Sequence, residues 1–258
     1  MGAYEGKRVL VTGASSGIGE ALVRMLAQRG WRCVLLARRR ERIELLAAEV
    51  GGEAEVCDVS DREAVDRVAA AVAERHPAVS LLVNNAGIPG RSQALGLDPE
   101  RMEQVLATNF LGTVWTTRAF LPLLEAGRPS RLVNVVSVSG MVSMPPMGPY
   151  APSKHAQLAF SRAAAAQLAP RGIGVLTVNP GFVHTEGFPN RDRLRSPFLR
   201  RVTIEPEQVA AHILDALDRG AVETFVPGWY RAAAVVQALA PATTARLLAR
   251  AAKRRMEP

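Results

Sequence analysis

Tyr150 and Lys154 stand four positions apart in the stretch YAPSK, and on a helix that spacing puts them one turn apart on the same face. A free phenol has a pKa of about 10, so ionising it at neutral pH costs roughly 4 kcal/mol. A neighbouring ammonium lowers that cost because it stabilises the phenolate. A phenol tuned in this way can give and take a proton as a general acid and base. Taken alone, five residues favour two solvated side chains on a shared face. The elements around the pair must decide between the two readings.

Those elements alternate. Arg8 to Val11 is a short β-branched run suited to a buried parallel strand. A glycine-rich turn follows, then Ile18, Leu22 and Leu26 recur at helical spacing until Gly30. Further strands are expected over Cys33–Leu36, Ala54–Cys57, Leu81–Val83, Leu132–Val136, Val175–Val178 and Thr224–Val226. Helices are expected over Glu41–Val50, from a capping box of Ser60 with Glu63, from Asp98–Pro99 toward Leu124, from Tyr150 to Leu168, and from Glu205–Pro206 through Leu217. This order predicts a single-domain α/β fold of the Rossmann-like, doubly wound kind. Its sheet is seven-stranded and mostly parallel, with helices on both faces. Ligands of such sheets bind beyond the carboxyl ends of the strands.

The first strand-to-helix turn reads TGASSGIG, Thr12 to Gly19. Gly13 and Gly17 permit a tight bend, and Gly19 permits close approach of helix and sheet. The helix N-terminus then offers backbone N–H groups and a positive dipole end to a pyrophosphate. The spacing Gly-x-x-x-Gly-x-Gly behind Thr12 resembles the short-chain dehydrogenase/reductase family. Other stretches carry the same resemblance: NNAG at Asn84–Gly87, Asp58-Val59, Asn109 in LATNFLG, Ser137 thirteen residues before Tyr150, NPG at Asn179–Gly181, and Thr185. The likeness spans roughly residues 6 to 230.

The resemblance implies a catalytic set of Asn109, Ser137, Tyr150 and Lys154. Tyr150 would be the general acid and base. Lys154 would lower the Tyr150 pKa and bond the nicotinamide ribose, Ser137 would polarise the substrate oxygen, and Asn109 would hold a water leading to Lys154. It implies a cofactor site of Gly13, Ser15, Ser16, Gly17, Ile18, Gly19, Arg38, Arg39, Asp58, Val59, Asn85, Ala86, Gly87, Pro180, Gly181, Val183 and Thr185, with Tyr150 and Lys154 shared. Thr185 would contact the nicotinamide carboxamide. A homodimer or homotetramer is expected by the same analogy.

The second strand ends LLARRR, Leu35 to Arg40. An enzyme for NAD places an acid here to bond the ribose 2′-hydroxyl. Ala37 occupies that position, and Arg38 and Arg39 follow, each able to grip a 2′-phosphate with paired hydrogen bonds. The expected cofactor is therefore NADP(H). The expected reaction interconverts a ketone or aldehyde with an alcohol on an apolar or acyl-type substrate. Other readings are a non-catalytic NADP(H) sensor, a lipid-directed reductase at a membrane surface, and a dehydratase or epimerase that keeps its nucleotide.

The totals narrow the field. The chain has 258 residues, 48% of them hydrophobic, and a formal net charge of +8. That charge lacks the aromatic–basic interleaving or zinc spacing of a nucleic-acid binder, so no nucleic-acid partner is expected. Cys33 and Cys57 fall in apolar runs and His76, His155, His184 and His212 are scattered, so no metal is expected. The N-terminus has no export signal, which predicts a cytoplasmic protein. The resemblance implies a substrate lid over residues 182–203, where Phe182, Phe188, Phe198 and Leu199 mix with Arg191, Arg193, Arg195, Arg200 and Arg201. The mix suits an apolar substrate on an acidic handle or a solvated basic loop. Residues 229–258 read as an apolar, basic helical tail. Packing on the body or on a second subunit is the favoured reading of it, and contact with an anionic membrane the less favoured one.

Overall fold

The computed structural model describes residues 6–90, 98–142, 148–186 and 201–256. Seven strands form one parallel sheet: β1 (Arg8–Thr12), β2 (Arg32–Ala37), β3 (Glu53–Val56), β4 (Leu81–Asn84), β5 (Ser130–Val135), β6 (Ile173–Pro180) and β7 (Glu223–Val226). Their order is β3-β2-β1-β4-β5-β6-β7. The chain moves outward from β1 to β3, then crosses back to lay β4 on the other side of β1. That reversal opens a crevice between the carboxyl ends of β1 and β4, where this class of sheet binds its ligand.

The central strands are buried at nearly every position because both faces are covered. Most of their residues are apolar, with Thr12, Asn84, Ser130 and Asn134 as buried polar exceptions. Val9, Val11, Leu35, Val83, Val133 and Val178 pack on one side against α1 (Gly17–Gln28), α2 (Arg40–Val50) and α7 (Pro206–Asp218). Their alternates Leu10, Leu36, Leu82, Leu132 and Val175 pack on the other side against α3 (Arg62–Arg75), α5 (Gly112–Ala126) and α6 (Tyr150–Leu168). Each fully buried leucine in these layers contributes about 2 kcal/mol.

Helix starts follow local chemistry with one correction. The Asp98 carboxylate caps α4 (Pro99–Leu106), with Pro99 in the first turn as expected. Glu205 and Gln208 form a reciprocal capping box at the start of α7. At α3 the expected box of Ser60 and Glu63 does not form. Asp61 is the cap and accepts from Ala64 N at 3.1 Å. Ser60 instead gives its N–H and hydroxyl to Asp58 Oδ1, at 3.0 and 2.7 Å. A carboxylate two residues back outcompetes the helix end for the serine, because a charged acceptor makes the stronger bond.

The helix expected from Asp98 toward Leu124 is also interrupted. Between α4 and α5 the backbone makes a π-helical turn over Ala107–Leu111, a feature that recurs at functional sites. Asn109 lies inside it and is fully buried.

The tail folds as α8 (Tyr230–Leu239) and α9 (Pro241–Met256). Tyr230 and Ala234 are buried, whereas Trp229, Val235, Val236 and Leu239 are exposed. Among the described residues, no helix is long and apolar enough to cross a membrane. Most of the expected lid, including its phenylalanines 188 and 198 and its arginines 191 to 200, lies outside the described residues.

Candidate active site

The glycine turn after β1 is built by close approach. Gly13 and Gly17 adopt positive φ values of 65° and 57°, which glycine reaches without steric penalty. A Cβ on Gly13 would stand 2.7 Å from Ala86 Cα, and one on Gly19 would stand 2.4 Å from Gly13 O. Asn85 fastens the turn from β4, donating through Nδ2 to Thr12 O at 3.0 Å and Gly13 O at 3.2 Å. Thr12 Oγ1 answers by accepting from Asn85 N and Ala86 N, both at 3.0 Å. Ser16 is the N-cap of α1 and its side chain caps none of the first-turn amides. Those amides and the helix dipole thus suit a pyrophosphate, and the cradle fits a dinucleotide.

The basic cluster lies beside this turn. β2 ends at the buried Ala37. Arg39 wraps onto the glycine turn, donating from Nη2 to Ser15 Oγ at 2.9 Å and to Ser16 Oγ at 2.6 Å. Its Nη1 donates to Glu186 at 2.6 Å, and Arg42 donates to the other oxygen of the same carboxylate. The two guanidiniums hold the Glu186 carboxyl below its ordinary range. Arg38 faces Asp58 at 3.6 Å. Val59 is buried against Gly112, where a Cβ would stand 2.8 Å from Val59 Cγ2. Ser15, Ser16 and Arg39 therefore form one hydrogen-bonded cluster on the glycine turn, with the Arg38–Asp58 pair following β2 and β3.

Beyond the carboxyl end of β6, Gly181 donates from its N–H to Val226 O at 2.8 Å, and the Tyr230 ring fills the space that a side chain on Gly181 would need. Val183 bridges to Ile204. Thr185 reaches back over the glycine turn, with its Cγ2 3.1 Å from where a Cβ on Gly17 would sit. Ile18 is half-buried on α1.

Tyr150 is the first residue of α6, and its N–H donates to Gly90 O at 3.4 Å. Lys154 follows one turn later, only 3% exposed, with Nζ 5.7 Å from the centre of the Tyr150 ring. Burial disfavours the ammonium and pulls its pKa down to about 7. Ser137 lies just past β5, with Oγ accepting from Ser139 N at 3.1 Å and donating to Pro180 O at 3.4 Å. The short helical turn Val138–Gly140 presses on α6, since a Cβ at Gly140 would stand 2.7 Å from Lys154 O. Asn109 binds the strand end after β4, accepting from Ile88 N at 2.8 Å and donating to Ile88 O at 3.1 Å and Ser153 Oγ at 3.0 Å. Gly87 sits between them, where a Cβ would stand 3.4 Å from Asn109 Oδ1 and 3.7 Å from Lys154 Nζ.

Several participants lie outside the expected set of site residues. Asn84 and Asn134 share a hydrogen bond of 3.0 Å across β4 and β5, and Asn134 reaches Ser161 on α6 at 2.9 Å. Gln157 is fully buried one turn below Lys154. Glu186 and Arg42 were not among the expected site residues. His184 pairs with Glu205 at the start of α7, and His155 with the Ala151 carbonyl one turn back. Burial pushes the Cys33 thiol up to about 12 and Cys57 up to about 11, which makes both poor nucleophiles at neutral pH.

Residues 7–194 match the family model described as short chain dehydrogenase. The chain belongs to the short-chain dehydrogenase/reductase family. Among relatives, it is 37% identical over 193 residues to a putative ketoacyl reductase of Streptomyces coelicolor, covering 72% of this chain and 74% of that one. It is 36% identical over 190 residues to a dehydrogenase/reductase SDR family protein 7-like of Anopheles gambiae, covering 70% of this chain but only 60% of that longer one. An actinorhodin polyketide ketoreductase solved with NADPH superposes with a TM-score of 0.79 at 30% identity, covering 89% of this chain and 99% of that one. Solved structures of similar fold carry NADPH, a hydroxylated NADP or NAD. Membership makes the chain an oxidoreductase that uses a nicotinamide cofactor, while the fold alone leaves the choice of dinucleotide open.

Proposed function

We propose that this oxidoreductase uses NADP(H) to interconvert a ketone or aldehyde with an alcohol, with Tyr150 as the general acid and base. The observation that carries the reading is the buried Lys154 ammonium, 5.7 Å from the Tyr150 ring at the mouth of the crevice. In reduction, negative charge grows on the substrate oxygen. Tyr150 donates a hydrogen bond and then its proton to that oxygen, and Ser137 Oγ donates a second bond that orients it. The positive charge of Lys154 lowers the cost of leaving Tyr150 as phenolate. The dinucleotide, when bound, supplies or accepts the hydride. In this reading the first turn of α1 holds the pyrophosphate, Asp58 and Val59 border the adenine, and Asn85 to Gly87 line the ribose side of the crevice.

Arg39 supports the choice of NADP(H) over NAD(H). It is anchored on Ser15 and Ser16, and β2 ends in Ala37 where a 2′-hydroxyl would need an acid. Arg38 adds a second guanidinium next to Asp58. Apolar or acyl-type substrates suit the apolar residues that the sequence places after β6, and the ketoacyl reductase and ketoreductase relatives point to the same class.

A screen of NADPH oxidation over ketones, quinones, steroids and 3-oxoacyl thioesters tests the reading, with NADH run in parallel. Turnover that prefers NADPH and disappears in Tyr150→Phe is the expected result. A preference for NADH overturns the cofactor assignment, and full activity in Tyr150→Phe overturns the mechanism. Tight NADPH binding with no turnover of any carbonyl would favour the sensor instead.

A further inference from the structure

Gln157 is a fully buried amide on a helix face that also carries the buried Ser153, Lys154, Leu158 and Ser161. An apolar side chain of its size would fill the same space, and burying an amide is costly unless its hydrogen bonds are made. Here they are made, and each points at the site. Gln157 Oε1 accepts from Lys154 Nζ at 2.7 Å, and Gln157 Nε2 donates to Thr113 Oγ1 at 2.9 Å. Thr113 Oγ1 in turn donates to Asn109 O at 3.2 Å.

The direction of this chain is determined by counting protons. A hydroxyl has one proton to give. Thr113 gives its proton to the Asn109 carbonyl, so toward Gln157 it can only accept. That bond turns the amide nitrogen to Thr113 and leaves the amide oxygen for the ammonium. Val135 O takes a second N–H of Lys154 at 3.1 Å. One N–H of the ammonium then remains for the crevice, on whose wall Gly87 carries no side chain.

We propose that Gln157 is a positioning residue of this enzyme: it holds the Lys154 ammonium beside Tyr150 and ties it, through Thr113, to the Asn109 carbonyl. The proposal rests on the Tyr150–Lys154 reading given above. The groups facing Lys154 from the packed elements are Val135 O from β5, Asn109 and Thr113 from the π turn and α5, and Gln157 and the titratable Tyr150 from α6 itself. Tyr150 apart, these are uncharged. Carbonyl acceptors thus oppose the desolvation that favours loss of the Lys154 proton, and Gln157 supplies the shorter of the two bonds.

The test measures the Tyr150 phenol directly and needs no substrate. The chain has three tyrosines, so the near-ultraviolet phenolate absorbance of the Tyr150→Phe protein is subtracted from each titration. Gln157→Met keeps the volume and removes the acceptor. It is expected to raise the Tyr150 titration by about one pH unit, toward the value found in Lys154→Met, which has no cation at all. Thr113→Val leaves Gln157 in place but unoriented, and is expected to give a smaller rise in the same direction.

A Gln157→Met protein that melts earlier but titrates like the wild type would show a packing role only and overturn the proposal. Should Gln157→Met not accumulate as folded protein, an unchanged titration in Thr113→Val, beside a raised one in Lys154→Met, overturns it equally. If Lys154→Met itself leaves Tyr150 unmoved, the Tyr150–Lys154 reading falls first and Gln157 with it.

Discussion

The crevice has positive charge at both ends, and the two ends handle it in opposite ways. Beside the glycine turn Arg38, Arg39 and Arg42 are exposed guanidiniums paired with Asp58 and Glu186. At the start of α6 Lys154 is a buried ammonium held by an amide and a carbonyl. Exposed arginines keep their charge under all ordinary conditions, so they suit a permanent anion. A buried lysine sits near its titration point, so small changes around it alter its charge and that of its neighbour. The first end is built to hold and the second to be tuned.

Breaking the tuned end should have the largest effect. Tyr150→Phe and Lys154→Met are each expected to lower turnover by about a thousandfold, measured as NADPH oxidation with the best carbonyl from the screen. Gly19→Ala attacks the scaffold shared by both ends. Its Cβ would fall 2.4 Å from Gly13 O and 2.5 Å from Asn85 Nδ2, and backbone can yield only by opening the turn. A loss of about 2 kcal/mol of stability is expected in denaturant unfolding, with dinucleotide binding weakened in parallel.

Arg39→Ala tests the holding end. It should weaken NADPH binding by about thirtyfold, the worth of a charged hydrogen-bonded contact of roughly 2 kcal/mol, and leave NADH binding unchanged in fluorescence titration. Equal losses for both cofactors would mean that Arg39 only braces the glycine turn.

The tuned end also has a stability signature. Lys154 titrates at about 7 in the folded protein, below the value of about 10.4 for a free lysine. Between those two pH values the unfolded chain binds more protons, so this residue makes the native state more stable as pH rises through the window. Lys154→Met should therefore melt above the wild type at pH values below 7, with the difference shrinking toward pH 10. The smallest effect belongs to Glu186→Gln. Releasing Arg39 and Arg42 from a carboxylate should tighten NADPH binding two- to threefold at low salt, and the gain should fade as salt screens the exposed charges.

The two ends also differ in how far they could be read from the chain. Arg38, Arg39 and the missing acid at Ala37 stand in a row, and their meaning depends only on a strand ending there. The Tyr150–Lys154 pair was legible because one helical turn is a local relation. The capping of α3 was misread because Asp58, Ser60 and Asp61 are rival acceptors within four residues, and the strand end before them settles the contest. The π turn shifts the helical phase by a single residue, too little to see among Ala107, Thr108 and Asn109. Gln157 was not legible because its bond to Lys154, three positions back, gains its meaning only once Thr113 of α5, 44 positions away, orients the amide.

By itself the sequence determined the alternation of strands and helices, the phosphate turn, the basic end of β2 and the helical spacing of Tyr150 over Lys154, because each depends on residues within a few positions of one another. Tertiary structure alone decided that β4 returns beside β1 to open the crevice, that Glu186 settles on Arg39 and Arg42, that Val135 O meets the ammonium and that Thr113 orients the Gln157 amide. Those outcomes depend on which distant groups become neighbours once both faces of the sheet are buried.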